Sequence, residues 1–440
     1  MKGLWCFVAF FLLFLATENS SYAREALSDS IQYYNLHFQQ TIITQGHPAF
    51  KAPYSGQNSL RPESEKATSI TSTVFLGIRL WRGAALYVNP ELAGGTGISG
   101  SVGLAGFSNG ETFRIGSSKP LVYLARLFLR QVFSLSGKTV KVEDQPNHLQ
   151  AQATENSITL TAGRFSTADI FDNNDYSHDP RTQFLNWSIM SAGAWDYPAD
   201  TRGYTWGLSA EYNSSAWAFR MGAFMMPERA NGLKMDTNIK KAHGLVLEGE
   251  KSYTLNNRKG TLRLLAFYNE GRMGSYFQTI ANPAYRMDIT STRKYGRNKF
   301  GFSLNAGQEI TSDSGFFLRL SWNNGKTETW AFTEIDHSLS FGFVQTGKLW
   351  SKKSFQAALA FAVNGISEDH RQYLALGGHG FMLGDGKLNY SNEIISELLC
   401  GIKIVENLSL SGDYQFVLNP AYNKDRGPVS IFAVRVHAEF

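Results

Sequence analysis

The chain has 440 residues, with 42 Lys and Arg against 37 Asp and Glu. The resulting charge of +5 shows no basic block, which excludes a nucleic-acid footprint. Charged residues reach only 18%, mean hydropathy is −0.24, and no long apolar run follows the N-terminus, which excludes crossing a membrane by helices.

Residues 1–23 read as a secretory signal. Lys2 supplies the positive end, Leu4 to Ala16 the apolar run, and Ser21-Tyr22-Ala23 the small residues that a signal peptidase requires. That run falls short of the roughly 20 residues a spanning helix needs. Cys6 leaves with the signal, so Cys400 alone remains, without a disulfide framework or a Cys cluster for zinc. Residues 24–440 are expected to form one domain.

From Tyr34 onward, short segments of period two recur between Gly-, Asn-, Asp- and Ser-rich turns. In TVFLGIRLW, Val74, Leu76, Ile78 and Leu80 oppose Gly77, Arg79 and Trp81. In WAFRMGAFMM, Trp217, Phe219, Met221, Ala223 and Met225 oppose Arg220, Gly222 and Phe224. The predicted strands are 34–44, 69–82, 84–91, 121–134, 156–166, 203–213, 215–226, 240–252, 260–270, 299–311, 314–324, 337–347, 353–364, 391–404, 407–418 and 428–440. Tight turns link several of them, whereas 90–120, 167–202, 271–298 and 365–391 are long connections. About sixteen strands with short turns alternating with long loops predict an all-β fold, a transmembrane antiparallel β-barrel in the bacterial outer membrane.

Many segments reach ten residues, the length a tilted strand needs to cross lipid, against about 5–6 in soluble sheets. Tyr204, Trp206, Tyr212, Trp217, Trp322, Phe341, Phe343, Phe355, Phe361, Tyr414 and Phe440 are expected on the lipid face as interfacial girdles. The last segment alternates too: Phe432, Val434, Val436, Ala438 and Phe440 oppose Ala433, Arg435, His437 and Glu439, with Ile431 the apolar intruder. Such a strand is expected to close the cylinder on the first, leaving no backbone edge in hydrocarbon. Its terminal Phe440 also suits the barrel assembly machinery as a partner. Cys400 shares a face with Leu398 and Ile402, an apolar position.

Several stretches together resemble the OprB-like carbohydrate-selective porins. They include HPAFKAPYSGQNSL (47–60), FLGIRLWRGAALYVNPELAGG (75–95), GLAGFSNGE (103–111) and YLARLFLRQVF (123–133). AGRFSTADIFDNNDYSHDPRTQFLNW (162–187), GAWDYPADTRGYTWG (193–207), DHRQYLALGGHGFMLGDGKLNY (369–390) and the last 31 residues, 410–440, continue the likeness. The resemblance implies a sixteen-strand channel for small sugars, with no cofactor and no enzymatic step. The stretch 227–300 is only loosely similar.

A sugar path needs aromatic faces for the rings and charged donors and acceptors for the hydroxyls. By strand parity the lumen receives Arg79 and Trp81, then the ladder Arg126, Phe128 and Arg130, which leaves Ala125, Leu127 and Leu129 facing out. Glu211, Arg220, Glu248, Arg263, Arg319, Asp413 and Arg435 follow by the same rule. Pro90–Pro120 reads as either an inward loop, placing Glu111 and Arg114 in the constriction, or an outer loop. Asp172, Asn174 and Asp175 are oxygen ligands without a known cation spacing, and a plain polar loop is the reading preferred. The nine His residues form no HExxH and no Ser lies in a GxSxG elbow, so no catalytic constellation is expected. The remaining alternatives are a general or anion-preferring porin of the same fold, a barrel enzyme and a soluble β protein. Oligomeric state stays open.

Overall fold

The computed structural model describes residues 32–112, 118–348 and 354–440. The signal expected over 1–23 lies outside them. The strands are β1 (Tyr34–His47), β2 (Glu65–Trp81), β3 (Ala84–Gly95), β4 (Leu121–Ser134), β5 (Thr139–Val142), β6 (Ala151–Thr154), β7 (Ser157–Phe165), β8 (Thr205–Asn213) and β9 (Trp217–Met225). They continue with β10 (His243–Leu255), β11 (Arg258–Met273), β12 (Lys294–Thr311), β13 (Ser314–Asn323), β14 (His337–Lys348), β15 (Ser354–Gly365), β16 (Glu393–Val405), β17 (Leu408–Leu418) and β18 (Val429–Glu439). All but β5 and β6 join one closed antiparallel barrel in which each strand pairs with its neighbour in sequence. That makes sixteen barrel strands, and β5–β6 is a separate hairpin between β4 and β7.

Closure is made by β1 on β18, with Gln39 opposite Glu439 and Gly46 opposite Phe432. No edge is left unpaired, the condition for a sheet to stand in hydrocarbon. One rim carries tight turns, such as Asn256-Asn257 between β10 and β11, where both residues have positive φ (50° and 61°). Asn tolerates that conformation, which matches the twist of a two-residue hairpin. The other rim carries the long connections. By the usual arrangement of outer-membrane barrels, the short-turn rim is periplasmic and the long-loop rim extracellular.

Side chains sort by parity along each strand. Phe219, Met221, Leu264, Phe302, Leu320, Phe432 and Val434 are exposed on the outer surface, where lipid takes the place of water. Cys400 shares that outer face. Arg319, Asn305, Glu397, Gln415 and Arg435 are buried inside. Among the described residues no helix is long and apolar enough to cross a membrane; the crossing is done by strands.

Two expectations about faces need correction. Tyr204 is not a girdle residue: it lies in the loop before β8, 4% exposed, with its hydroxyl on Glu91 inside the barrel. Ala125 does not face lipid either. The register between β3 and β4 shifts between Asn89 and Pro90, and Ala125 is wholly buried at this bulge.

Candidate functional site

Two extracellular loops enter the barrel. Residues 96–112, between β3 and β4, bury Ile98, Leu104, Phe107, Asn109 and Glu111. The loop after β7, 166–204, goes deeper and buries Phe171, Phe184, Leu185, Asn186 and Ile189. Its turn of helix, Trp187–Met190, starts at Asn186, whose side chain accepts the Ser188 N–H.

One face of this second loop lies against β13–β18, and another meets β4 and β7–β10. On β13–β18 the inner face is small and apolar, with Phe317, Val344, Ala358, Ala360, Ala362, Ile395, Val417 and Ile431 packed under Phe184 and Ile189. Ile431 therefore fills a dry contact. Polar side chains of the same wall fasten the loop backbone. Glu397 accepts from the Leu185 and Asn186 N–H groups (2.5 and 2.9 Å). Arg319 donates to the carbonyls of Asp172, Ser177 and Ile189 and pairs with the Asp172 carboxylate at 3.2 Å. Arg435 donates to the carbonyls of Pro180 and Gln183 (2.6 and 2.7 Å). Asp172 also accepts from Asn305 and from the Ala192 N–H, so its oxygens serve the loop's own structure. Among the described residues no acidic or His cluster could hold a metal ion.

The opposite wall is more ionic. Arg126, on β4, forms a two-pronged contact with Asp169 (2.7 and 2.6 Å), with its guanidinium over the Tyr204 ring at 5.1 Å. Burial alone would raise the Asp169 carboxyl, but the adjacent Arg126 holds it below its ordinary value. Arg164, on β7, meets Asp200 at 2.6 Å and also faces Tyr204. Nearby, Arg181 of the loop bridges Glu111 (2.7 Å), Glu91 (3.2 Å) and the Gln39 side chain. Tyr123 and Tyr204 both donate to Glu91. Burial pushes the Glu111 carboxyl up despite the Arg181 charge.

Further round, Arg220 on β9 lies in register with Glu211 on β8 and Glu248 on β10. Its guanidinium reaches Glu248 at 2.7 Å, Glu250 at 2.8 Å and Glu211 at 3.4 Å, while Arg263 on β11 takes Glu250 at 2.9 Å. Phe128 stacks on Tyr87 at 5.1 Å, and Arg130 caps both rings at 5.2 and 5.5 Å. The result is a row of guanidinium groups, each beside a carboxylate or an aromatic face, on β4 and β7–β11.

The sequence matches the family described as carbohydrate-selective porin, OprB family, over residues 76–440. The chain belongs to this family. No curated protein matches the sequence. This OprB-family porin is similar in fold to the high-pH structure of Pseudomonas putida OprB, at TM-score 0.69 and 16% identity over 93% of this chain and 94% of that one. The low-pH structure of the same protein follows at TM-score 0.50 and 13% identity, covering 93% of each chain. The described strands thus form the channel barrel of an outer-membrane porin.

Within the porin, Arg126, Phe128, Arg130, Glu211 and Arg220 take inner positions on this ionic wall and Glu111 joins it from the loop after β3, with Phe128 and Glu111 themselves buried; Glu248 lies beneath, accepting the Asp172 N–H at 2.7 Å. Arg319 and Arg435 point inward as parity requires, yet their guanidinium groups are spent on loop carbonyls under a covered wall. Arg79 lies at the periplasmic end, donating to the carbonyls of Gln32 and Gln150. Trp81 departs from its expected inner position. The β2–β3 register shifts between Arg79 and Trp81, and the indole is 56% exposed at the short-turn rim, donating to Gln131 at 2.7 Å. Arg114 lies outside the described residues. Arg181, Asp169, Asp200 and Tyr204 escaped sequence reasoning because loops carry no periodicity. Glu91 and Arg164 lie on inner strand positions, and parity extended to β3 and β7 would have found them.

Proposed function

We propose that small sugars cross this porin passively, down their gradient, along the β4 and β7–β11 side of the lumen, with Arg126, Phe128, Arg130, Glu211, Arg220 and Glu111 meeting the solute. Arg114 is kept in the same role. The observation that carries this is the pairing of guanidinium groups with carboxylates. Arg126–Asp169, Arg164–Asp200, Arg181–Glu111 and Arg220–Glu248 offer fixed donors and acceptors with little local excess charge. A neutral polyol can exchange its water for such groups, whereas a simple ion gains little. Thr161 Oγ1, Ser209 Oγ and Arg126 Nη1 on the same wall have no protein partner among the described residues. All three atoms are enclosed by protein, so they mark unpaired polar groups within this wall and not points of solute contact.

Rigid pairing also keeps the grip weak, as transport demands: each solute contact replaces a satisfied one. No enzymatic step enters this reading, and residues 24–440 are taken as the barrel domain behind an export signal at 1–23. Its partners are then the outer-membrane lipid and, through the strand ending at Phe440, the assembly machinery. Planar-bilayer recording tests the path. Arg126→Ala with Arg130→Ala should raise conductance and weaken sugar block of the ion current by roughly tenfold, the worth of a lost charge-assisted hydrogen bond. Unchanged block would remove both residues from the site, and a strong anion preference in the parent channel would favour the general-porin alternative.

A further inference from the structure

The connection between β4 and β7 is long for a periplasmic turn, and its tip does not hang in the periplasm. Residues 143–150, beyond the β5–β6 hairpin, turn back into the mouth of the barrel. Asp144 accepts from the Asn35 amide at 2.7 Å and contacts His37 Nε2 at 2.9 Å, both on β1. Asn147 accepts from Asn89 on β3 through its side chain and from Arg130 on β4 through its carbonyl, each at 2.9 Å. The His148 carbonyl takes a second bond from Asn35 at 3.0 Å, and its ring lies 3.1 Å from Arg130. Leu149 is 4% exposed, with its N–H on the Tyr87 hydroxyl. Asn35, His37, Tyr87, Asn89 and Arg130 all sit on inner strand positions. The segment is therefore a strap inside the lumen, fastened to β1, β3 and β4 at its periplasmic third.

Arg130 is shared: one side of its guanidinium caps the Tyr87–Phe128 stack and the other is held by the strap. A solute sliding down the Arg126–Phe128–Arg130 ladder reaches the strap last. We propose that residues 143–150 form a second, polar narrowing at the periplasmic exit, where the His148 ring and Arg130 hold a small neutral sugar before release. This rests on the solute path argued above, but the narrowing itself can be measured without sugar.

The Leu135 N–H donates to the Asn156 carbonyl at 2.9 Å, which closes the β4–β7 ladder ahead of the strap. Replacing residues 136–155 by Asn-Gly should leave a normal hairpin. Heat-modifiable gel mobility checks that the barrel forms. In salt alone, the variant's single-channel conductance should rise by at least about twofold, as expected on removing a constriction in series. Sugar dwell times should shorten as well. A folded variant with unchanged conductance overturns the narrowing, and one with raised conductance but unchanged dwell time overturns the sugar hold. If that variant does not assemble, Asp144→Ala with Asn147→Ala is read in the same way. Arg126→Ala serves as the reference: loss of sugar block there with no effect of the strap variants sinks this inference and leaves the main path standing. Raised conductance in the strap variants with no block in any channel sinks the path instead.

Discussion

At the scale of single residues, the same residue type does two jobs on opposite walls. Arg319 and Arg126 both point inward from strands. Arg319 is covered by the loop, and its donors end on three carbonyls and a carboxylate. Among the described residues, the enclosed Arg126 Nη1 has no protein partner. Arg319→Ala should therefore cost about 3–5 kcal/mol by leaving Asp172 as an uncompensated buried charge. Denaturant unfolding should show that loss, together with faster proteolysis of 166–204, whereas Arg126→Ala, which leaves the more exposed Asp169 unpaired, should cost less and alter sugar block. Parity alone could not separate the two, because a polar inner face has one sequence signature whether water or a folded loop lies against it. Ile431, together with small residues such as Ala358, Ala360 and Ala362, was the available clue that one wall is dry. Trp81 was misread for a different reason: one residue of register shift reverses a side chain, and nothing in LWRGAA marks where the shift falls.

At the scale of elements, all sixteen barrel strands were legible, since the two-residue period repeats in each and lipid enforces it more strictly than water does. The β5–β6 hairpin was not, being two strands of four residues without a clear apolar face. Loop seating was equally hidden, because it depends on buried carboxylates that meet backbone N–H groups far away in sequence. Glu334 accepts from Phe381 and Leu383, and Asp196 accepts from Trp330 and Ala331. These contacts tie the loops after β7, β13 and β15 together. Burial pushes the Asp196 carboxyl up to about 6, against the pull of Lys299 and the two N–H groups. A carboxyl raised on folding favours the seated state while it is protonated. The seating is then strongest below about 4, the free carboxyl value, and weakens as pH climbs through about 6. Limited proteolysis of the extracellular loops, corrected for protease activity, should speed up across that window, and Asp196→Asn should flatten the profile.

At the scale of the whole molecule, the channel is lopsided. The loop after β7 covers the apolar β13–β18 wall with Phe184 and Ile189 and sets Phe171 against Phe224 on β9, whereas the proposed solute path follows the ionic wall beside β4 and β7–β11. On the proposed path, solute selection and loop anchoring draw on different halves of one cylinder. That division explains how a barrel with only a small charge excess can carry so many inward-facing ionic groups: most are matched in pairs, on strands or between strand and loop. The family and its channel fold could be read from the sequence, but this asymmetry could not, since it arises where two distant stretches meet.

The seam between β1 and β18 has one more implication. Because Gln39 lies opposite Glu439, both ends of the described barrel meet at the same rim. The ring then has no privileged starting point, and its order could be rotated. Because Phe440 pairs with Phe38, about 20 Å of extended chain separates it from Gln32. A gene in which a flexible Gly/Ser linker of roughly ten residues joins Phe440 to Gln32, reopened between Asn256 and Asn257, should refold in detergent micelles with native sheet content by circular dichroism. A product that stays unstructured would mean that the original beginning of the ring is needed to start the rolling-up, and not only to complete it.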